Sequence, residues 1–284
     1  MAWCGANDMP RVELPANDAS DDVHRRFVGW LLQTMIEVEV DAVFTSEAYG
    51  DGFVEILNQM QAGRTPIVHI EIDRARARVP ASGTLIRGDV HANRHLLHPL
   101  VYSDFVDRVA ILGGESTGKT TLARALANRL ATSWVPEYGR ELWEAQGGRL
   151  GFSDMLKIAR EQVKREESAA MTAARFVVCD TTPLTTFLYS EAMFGKVDPR
   201  LVELVDRHYD FVFLCEPDFG FVQDGTRRDK AFQSDQQRWY LRELSKRGMA
   251  FQTLCGSVDA RVERVLSSIG QGDHTRGKSL LEVP

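Results

Sequence analysis

The residues best suited to chemistry lie together at Gly113-Gly114-Glu115-Ser116-Thr117-Gly118-Lys119-Thr120. Their spacing is G-x-x-x-x-G-K-[ST], the pattern of a loop that cradles phosphates. Gly113 and Gly118 let the backbone turn tightly and approach an anion. The amides freed by that turn, together with a helix N-terminus, surround the β- and γ-phosphates of a nucleotide. Gly114, Glu115, Ser116, Thr117 and the neighbouring Thr121 complete the expected ATP-contacting stretch. Lys119 supplies a mobile positive charge and Thr120 a hydroxyl for Mg2+. The flanks agree with this reading. Arg108-Val109-Ala110-Ile111-Leu112 is a short apolar run, as a buried parallel strand requires. Leu122, Leu126 and Leu130 then recur along one face of an alanine-rich helix.

Further along, Asp180 ends the apolar run Arg175-Phe176-Val177-Val178-Cys179, where P-loop proteins place a carboxylate on Mg2+. The next residue is Thr181, not a carboxylate that would activate water, and no Asn-Lys-x-Asp guanine signature occurs. Both features point away from motor ATPases and GTPases and toward a small-molecule kinase. Glu137 and Arg140 follow the run Trp134-Val135 at the rim of the expected sheet, where open α/β sheets bind ligands. Phosphorylating a hydroxyl needs a base near that oxygen and donors that hold the acceptor. Glu137 and Asp180 compete for the role of base, with Arg140 on phosphate or acceptor. Arg227, in the glycine-flanked loop Asp224-Gly225-Thr226-Arg227-Arg228-Asp229-Lys230, is placed to reach the transferring phosphoryl group when the loop closes. Trp134, Tyr138, Trp143, Phe187 and Tyr189 come from segments near the same rim, either to sandwich an aromatic ligand or to pack in the core. His91, His95 and His98 recur at intervals of four and three. With Pro99 following and no carboxylate partner, they read as packed or solvated histidines rather than metal ligands.

These groups need an alternating scaffold, and the chain supplies one. Asp21-Asp22 opens a helix with Phe27, Leu31 and Met35 on one face. Strand 41–47, helix 53–61 and strand 66–72 make a βαβ unit. Ser82 and Thr84 read as cap residues of the helix that carries Arg87. After the P-loop helix come a strand over 134–140, a helix over 153–175, a strand ending at Asp180 and helices over 187–194 and 201–205. A strand over 210–215, a helix over 234–247, a strand over 250–254 and a helix over 258–268 follow. The tail from Gly270 is polar and expected to be mobile.

Composition allows one large or two modest domains in 284 residues, with 44% apolar and 26% charged residues, as in ordinary globular proteins. A net charge of −6 favours neither nucleic acid nor an anionic membrane, and neither is expected as a partner. No apolar run approaches the length of a membrane span, and the first residues have neither the basic nor the apolar region of a signal peptide. Cys4, Cys179, Cys215 and Cys255 lack metal-ligand spacing and read as reduced core residues of a cytoplasmic protein, three of them inside apolar runs.

The P-loop stretch, with Glu137-Tyr138-Gly139-Arg140, Asp180-Thr181 and Asp224-Gly225-Thr226-Arg227, resembles the ribosylnicotinamide kinase domain of NadR-type proteins over roughly residues 105 to 269. In the first half, Phe44-Thr45-Ser46-Glu47 with Tyr49-Gly50, and Ser82-Gly83-Thr84-Leu85-Ile86-Arg87, resemble the later part of the nicotinamide mononucleotide (NMN) adenylyltransferase domain of the same family. The resemblance implies an α/β chain. A P-loop kinase domain with a parallel sheet and helices on both faces is preceded by a partial Rossmann-like nucleotidyltransferase domain. The expected boundaries are 1–104, 105–269 and a tail 270–284. It further implies ATP and Mg2+ as cofactors and nicotinamide riboside or a related nucleoside as acceptor. Lys119, Glu137, Asp180 and Arg227 are then catalytic; Glu137, Tyr138, Arg140 and Trp134 contact substrate; Thr120 and Asp180 hold the metal. Ser82, Thr84 and Arg87 would be the remnant of a second phosphate site. The H-x-G-H element of such adenylyltransferases is missing, so that activity is expected to be lost. The implied reaction is phosphorylation of nicotinamide riboside to NMN. A kinase for another nucleoside and a non-catalytic nucleotide-binding sensor are the alternatives, and a homo-oligomer is compatible with each.

Overall fold

The computed structural model describes residues 14–16, 18–61, 63–218 and 230–279. The chain forms two compact units that meet in sequence between Ser82 and Gly83.

In the first unit, α1 (Asp21–Trp30) runs into a π-helical turn, Leu31–Met35. Ser20 is its N-cap residue; Asp21 and Asp22 lie in the first turn instead and bind Arg25 at 3.0 and 3.4 Å. The strand β1 (Ala42–Thr45), the helix α2 (Gly50–Met60) and the strand β2 (Val68–Glu71) form the expected parallel βαβ, with Ala42 opposite Val68 and Thr45 opposite Glu71. Val54, Leu57 and Ile67 are its small core, joined by Leu32, Val43 and Phe53. The Asn58 amide ties α2 to the start of β2. It donates to the Ile67 carbonyl at 3.1 Å and accepts the Ile67 N–H at 2.8 Å. Gly50 admits the His69 ring, since a Cβ there would lie 2.1 Å from Nε2. That ring bridges Asp51 and the Thr45 hydroxyl, both at 2.7 Å.

The second unit opens with α3 (Gly83–Gly88) and α4 (Pro99–Tyr102). It continues with β3 (Asp107–Gly113), α5 (Lys119–Arg129), β4 (Ser133–Val135), α6 (Tyr138–Ala145), α7 (Phe152–Ala170) and β5 (Phe176–Asp180). After α8 (Pro183–Phe194), α9 (Pro199–Val205) and β6 (Phe211–Cys215) come α10 (Lys230–Lys246), β7 (Gln252–Leu254) and α11 (Val258–Ser279). The five strands form one parallel sheet in the order β4-β5-β3-β6-β7. Alternation along the strands divides the core. Ala110, Leu112, Val177, Cys179, Val212 and Leu214 face α7 to α10. Val109, Ile111, Val178, Phe213 and Cys215 face α5 and α11. A parallel sheet covered on both faces explains why its central strands carry apolar residues on both sides between their charged ends.

Several boundaries differ from the sequence reading. Residues 83–104 belong with the P-loop unit, not with the first: Tyr102 is buried in its core, and Arg94 Nη1 donates to the Ala173 carbonyl at 2.8 Å. The strand expected over 134–140 stops at Val135. Pro136 has no N–H for the ladder, and Tyr138, Gly139 and Arg140 start a helix instead. The helix expected at Phe187 begins at Pro183, with the Thr182 hydroxyl capping Leu184 N at 3.3 Å. The segment from Gly270, expected to be a mobile tail, is helical through Ser279. His91 Nδ1 pairs with the Tyr102 hydroxyl at 3.0 Å and His98 Nδ1 accepts Leu100 N at 3.3 Å. Among the described residues no group of three His, Cys, Asp or Glu is placed to hold a metal. Cys179 and Cys215 are buried; Cys255 follows β7 and is exposed, contrary to its reading as a core residue.

Candidate active site

The chain leaves β3 through Gly113, at φ 143°, where a Cβ would come within 2.8 Å of the Cys215 carbonyl. Ser116 (φ 58°) and Gly118 (φ 80°) complete the wrap, and α5 starts at Lys119 with its N-terminus facing the loop. Lys119 Nζ donates to the Gly114 carbonyl at 2.7 Å, and the Thr117 hydroxyl to the same carbonyl at 2.8 Å.

Two clamps hold the loop from outside. Arg261, on α11, is 1% exposed; it donates to Thr117 O at 2.7 Å, to Glu216 O and Gly256 O at 3.0 Å, and to the Asp218 carboxylate. The second clamp grips Glu115. Its N–H donates to Gln236 Oε1 at 2.8 Å, its carbonyl accepts Gln233 Nε2 at 2.5 Å, and its carboxylate accepts the Tyr189 hydroxyl at 2.8 Å.

Above the loop is a cavity of about 280 Å3. Gly113 and residues 115–121 line its phosphate side, and Glu137, Gly139, Arg140 and Trp143 line a second wall. Leu150, Met155, Ile158 and Gln162 form a third, and Thr185, Thr186, Tyr189, Met193, Gln236 and Tyr240 close the fourth. Thr181 lies at its edge with φ 74°, a left-handed conformation unusual for a β-branched residue. That reversal turns the chain sharply from Asp180 into the cap of α8.

Glu137 is the N-cap residue of α6 and faces the cavity. Burial raises its pKa above the usual carboxylate range; the charges of Lys119 and Arg140 oppose this, and those of Asp180 and Glu115 reinforce it. Asp180 is 1% exposed beneath the loop and forms no part of the cavity wall. Burial raises its pKa as well, against the pull of the Thr120 hydroxyl and of Lys119, Arg140 and Arg124. Neither of its oxygens has a hydrogen-bond partner of good geometry among the described residues.

The cavity therefore gathers Lys119, Thr120, Thr121, Glu137 and Arg140, with Asp180 just below. Gly114 is not part of the lining. Trp134 and Tyr138 do not reach it either. Along β4, Val135 packs toward α7, so Trp134 points to the opposite face, beneath the Arg124 guanidinium at 4.7 Å. Tyr138 lies under Arg165 at 4.4 Å. Phe187 packs on Trp239 in the core, whereas Trp143 and Tyr189 line the cavity. Arg227 and the rest of 224–229 fall outside the described residues. Thr84 and Arg87 are exposed on α3, and Ser82 ends the first unit. Sequence reasoning missed Gln162, Gln233, Gln236 and Arg261. The available signal was a polar residue within or beside a buried stripe, as at Arg261 next to Val258, Val262, Val265 and Ile269.

Comparison with known proteins adds three findings. A family model described as an AAA domain matches residues 108–261. The chain is 32% identical over 196 residues to the trifunctional NAD biosynthesis/regulator protein NadR of Escherichia coli (strain K12), covering 67% of this chain and 46% of that protein. It is 34% identical over 161 residues to the protein of the same description from Salmonella typhimurium (strain LT2), covering 55% and 39%. It thus spans less than half the length of these curated relatives. Two solved structures share the fold. A NadR protein in complex with NR has TM-score 0.63 and 19% identity over 93% of this chain and 75% of that one. A NadR protein in complex with NAD and AMP-PNP has TM-score 0.58 and 18% identity over 88% and 74%.

Proposed function

From a chain that belongs to the AAA domain family, with NadR proteins among its relatives, we propose an ATP-dependent kinase that phosphorylates the 5′-hydroxyl of nicotinamide riboside, giving NMN for NAD biosynthesis. One observation carries the reading: Lys119 and Glu137 face the same small cavity, between a phosphate loop and an apolar wall. ATP phosphates would lie on the loop amides and the α5 N-terminus, with Lys119 leaving the Gly114 carbonyl to meet them. Glu137 accepts the proton of the attacking hydroxyl, and Arg140 balances charge on the phosphoryl group or the acceptor. Trp143 and Met155 offer a heterocycle a dry surface.

Asp180 fits a metal better than a base. Its carboxylate is buried beside Thr120, lacks partners of good geometry among the described residues, and stands off the cavity wall. Mg2+ held through Thr120 and Asp180 would neutralise charge on the nucleotide phosphates. The two carboxylates that competed for one role in the sequence thus take different ones.

Incubation of the protein with ATP, Mg2+ and nicotinamide riboside, with products identified by mass, is expected to yield ADP and NMN in equal amounts. Turnover of other nucleosides but not this one would reassign the acceptor; ATP binding without turnover of any nucleoside would leave a sensor. With NMN and ATP as the only substrates, no NAD is expected, since the chain has no H-x-G-H element to stabilise a reacting α-phosphate.

A further inference from the structure

One buried polar group in the cavity has no part in the roles above. Gln162, on α7, is 2% exposed and lines the cavity. Its Oε1 accepts the Tyr138 N–H at 3.0 Å, which fixes the orientation of the amide and leaves Nε2, itself almost wholly buried, as the end free to donate. Nε2 has no hydrogen-bond partner among the described residues. A dry amide donor is costly, and a native cavity that keeps one calls for an acceptor atom against it.

The neighbours say which acceptor. Ile158 and Met155 stand on the same helix face, at spacings of four and seven residues, and both line the cavity. Toward the N-terminus of α7 the wall is therefore apolar and suits a heterocycle. At Gln162 it turns polar, and the residue bonded to its amide, Tyr138, directly follows Glu137. A nucleoside has the same division, with a flat ring at one end and a sugar carrying the reacting hydroxyl at the other.

We propose that Gln162 is the residue that selects a ribose: its Nε2 donates to a secondary hydroxyl of the acceptor nucleoside and thereby sets the sugar against Glu137. The inference rests on the acceptor being a nucleoside, as proposed above. A site built to bond a hydroxyl rejects the analogue lacking it more strongly than an apolar pocket discriminates by size.

The experiment is calorimetric binding of nicotinamide riboside and of its 2′-deoxy and 3′-deoxy analogues to the wild-type protein and to Gln162→Leu. The wild type is expected to bind the riboside about tenfold or more tighter than one of the two analogues. In Gln162→Leu that ratio is expected to shrink to within about threefold, through loss of riboside affinity alone. Equal ratios in the two proteins, or no preference for the riboside in the wild type, overturns the assignment. Gln162→Met, unbranched and close in length, repeats the comparison if leucine disturbs α7, and matching unfolding curves establish that each variant is folded. Turnover is measured separately. Riboside bound through its hydroxyl but not phosphorylated would sink the kinase reading and leave Gln162 in place. Riboside phosphorylated with no hydroxyl preference would do the reverse.

Discussion

At the scale of single residues, the proposed division of labour between Glu137 and Asp180 has a measurable signature. The pKa of Glu137 is raised chiefly by burial, and a base works only when ionised. Activity should therefore fall as pH falls through that raised pKa, at a higher pH than an exposed carboxylate would produce. The acid limb of kcat/KM for the nucleoside is predicted to be displaced upward and to be missing in Glu137→Gln, which should retain about 10⁻² to 10⁻⁴ of the activity. A Glu137→Gln protein with wild-type turnover would hand the role of base back to Asp180. Lys119→Ala tests the other side of the cavity. Among the described residues Lys119 hydrogen-bonds only a loop carbonyl, so its loss should leave stability nearly unchanged. Phosphoryl transfer should fall by about 10²-fold or more, the usual cost of one charge contact to a transition state. Unaltered turnover in a folded variant would remove the loop from catalysis.

At the scale of elements, the phosphate loop is shaped by its own glycines but held by its neighbours. Arg261 joins α11 to the loop at Thr117, to the end of β6 at Glu216 and to the turn at Gly256, with almost no exposure. Arg261→Met keeps much of the bulk but strands three carbonyls and leaves the Asp218 carboxylate with the Gly256 N–H and, among the described residues, no cation. It is predicted to destabilise the protein by about 3 to 5 kcal/mol, read from urea unfolding. A loss well under 1 kcal/mol would mean that solvent satisfies those groups in the native state. The same clamp shows where the sequence was legible and where it was not. The P-loop announced itself because its strand, glycines, lysine and helix are contiguous, and the parallel sense of the strands followed from the βα rhythm. The clamps come from far along the chain, 74 positions for Tyr189 and 121 for Gln236 from Glu115 and 144 for Arg261 from Thr117, and their local trace is no more than a polar residue within or beside a buried stripe. Trp134 was misread because three residues of β4 are too few to show which face each side chain takes. The boundary at 104 was misplaced because the short segment 83–104 has little periodicity, while its tie through Arg94 to Ala173 is long-range.

For the whole molecule, the buried carboxylates decide how stability depends on pH. Glu166 is fully buried on α7, one helical turn beyond Gln162; the Tyr209 hydroxyl donates to its oxygens at 3.0 and 3.1 Å, and Arg207 stands 3.3 Å away. Burial outweighs these partners and raises its pKa to about 7, from an ordinary value of 4.5. The sign follows from proton counting. Between those two values the folded state holds a proton that the unfolded state has released, so raising the pH favours unfolding. The contribution is fully present below the ordinary value and is lost as pH rises through about 7. A shift of this size is worth about 3 kcal/mol. Glu137 and Asp180, both raised, act in the same direction. Asp198, lowered to about 2 by Arg200, acts oppositely and only at far more acid pH. The ligand-free protein is therefore predicted to be more stable in urea at about pH 5.5 than at about pH 8, the reverse of a protein governed by ion-paired surface carboxylates. Glu166→Gln, which keeps the hydrogen bond to Tyr209 and cannot ionise, should flatten the profile and gain most relative to the wild type at the alkaline end. An unchanged slope in that variant would assign the pH dependence to the cavity carboxylates, and a stability that climbs with pH would show that none of the three is neutralised by the fold.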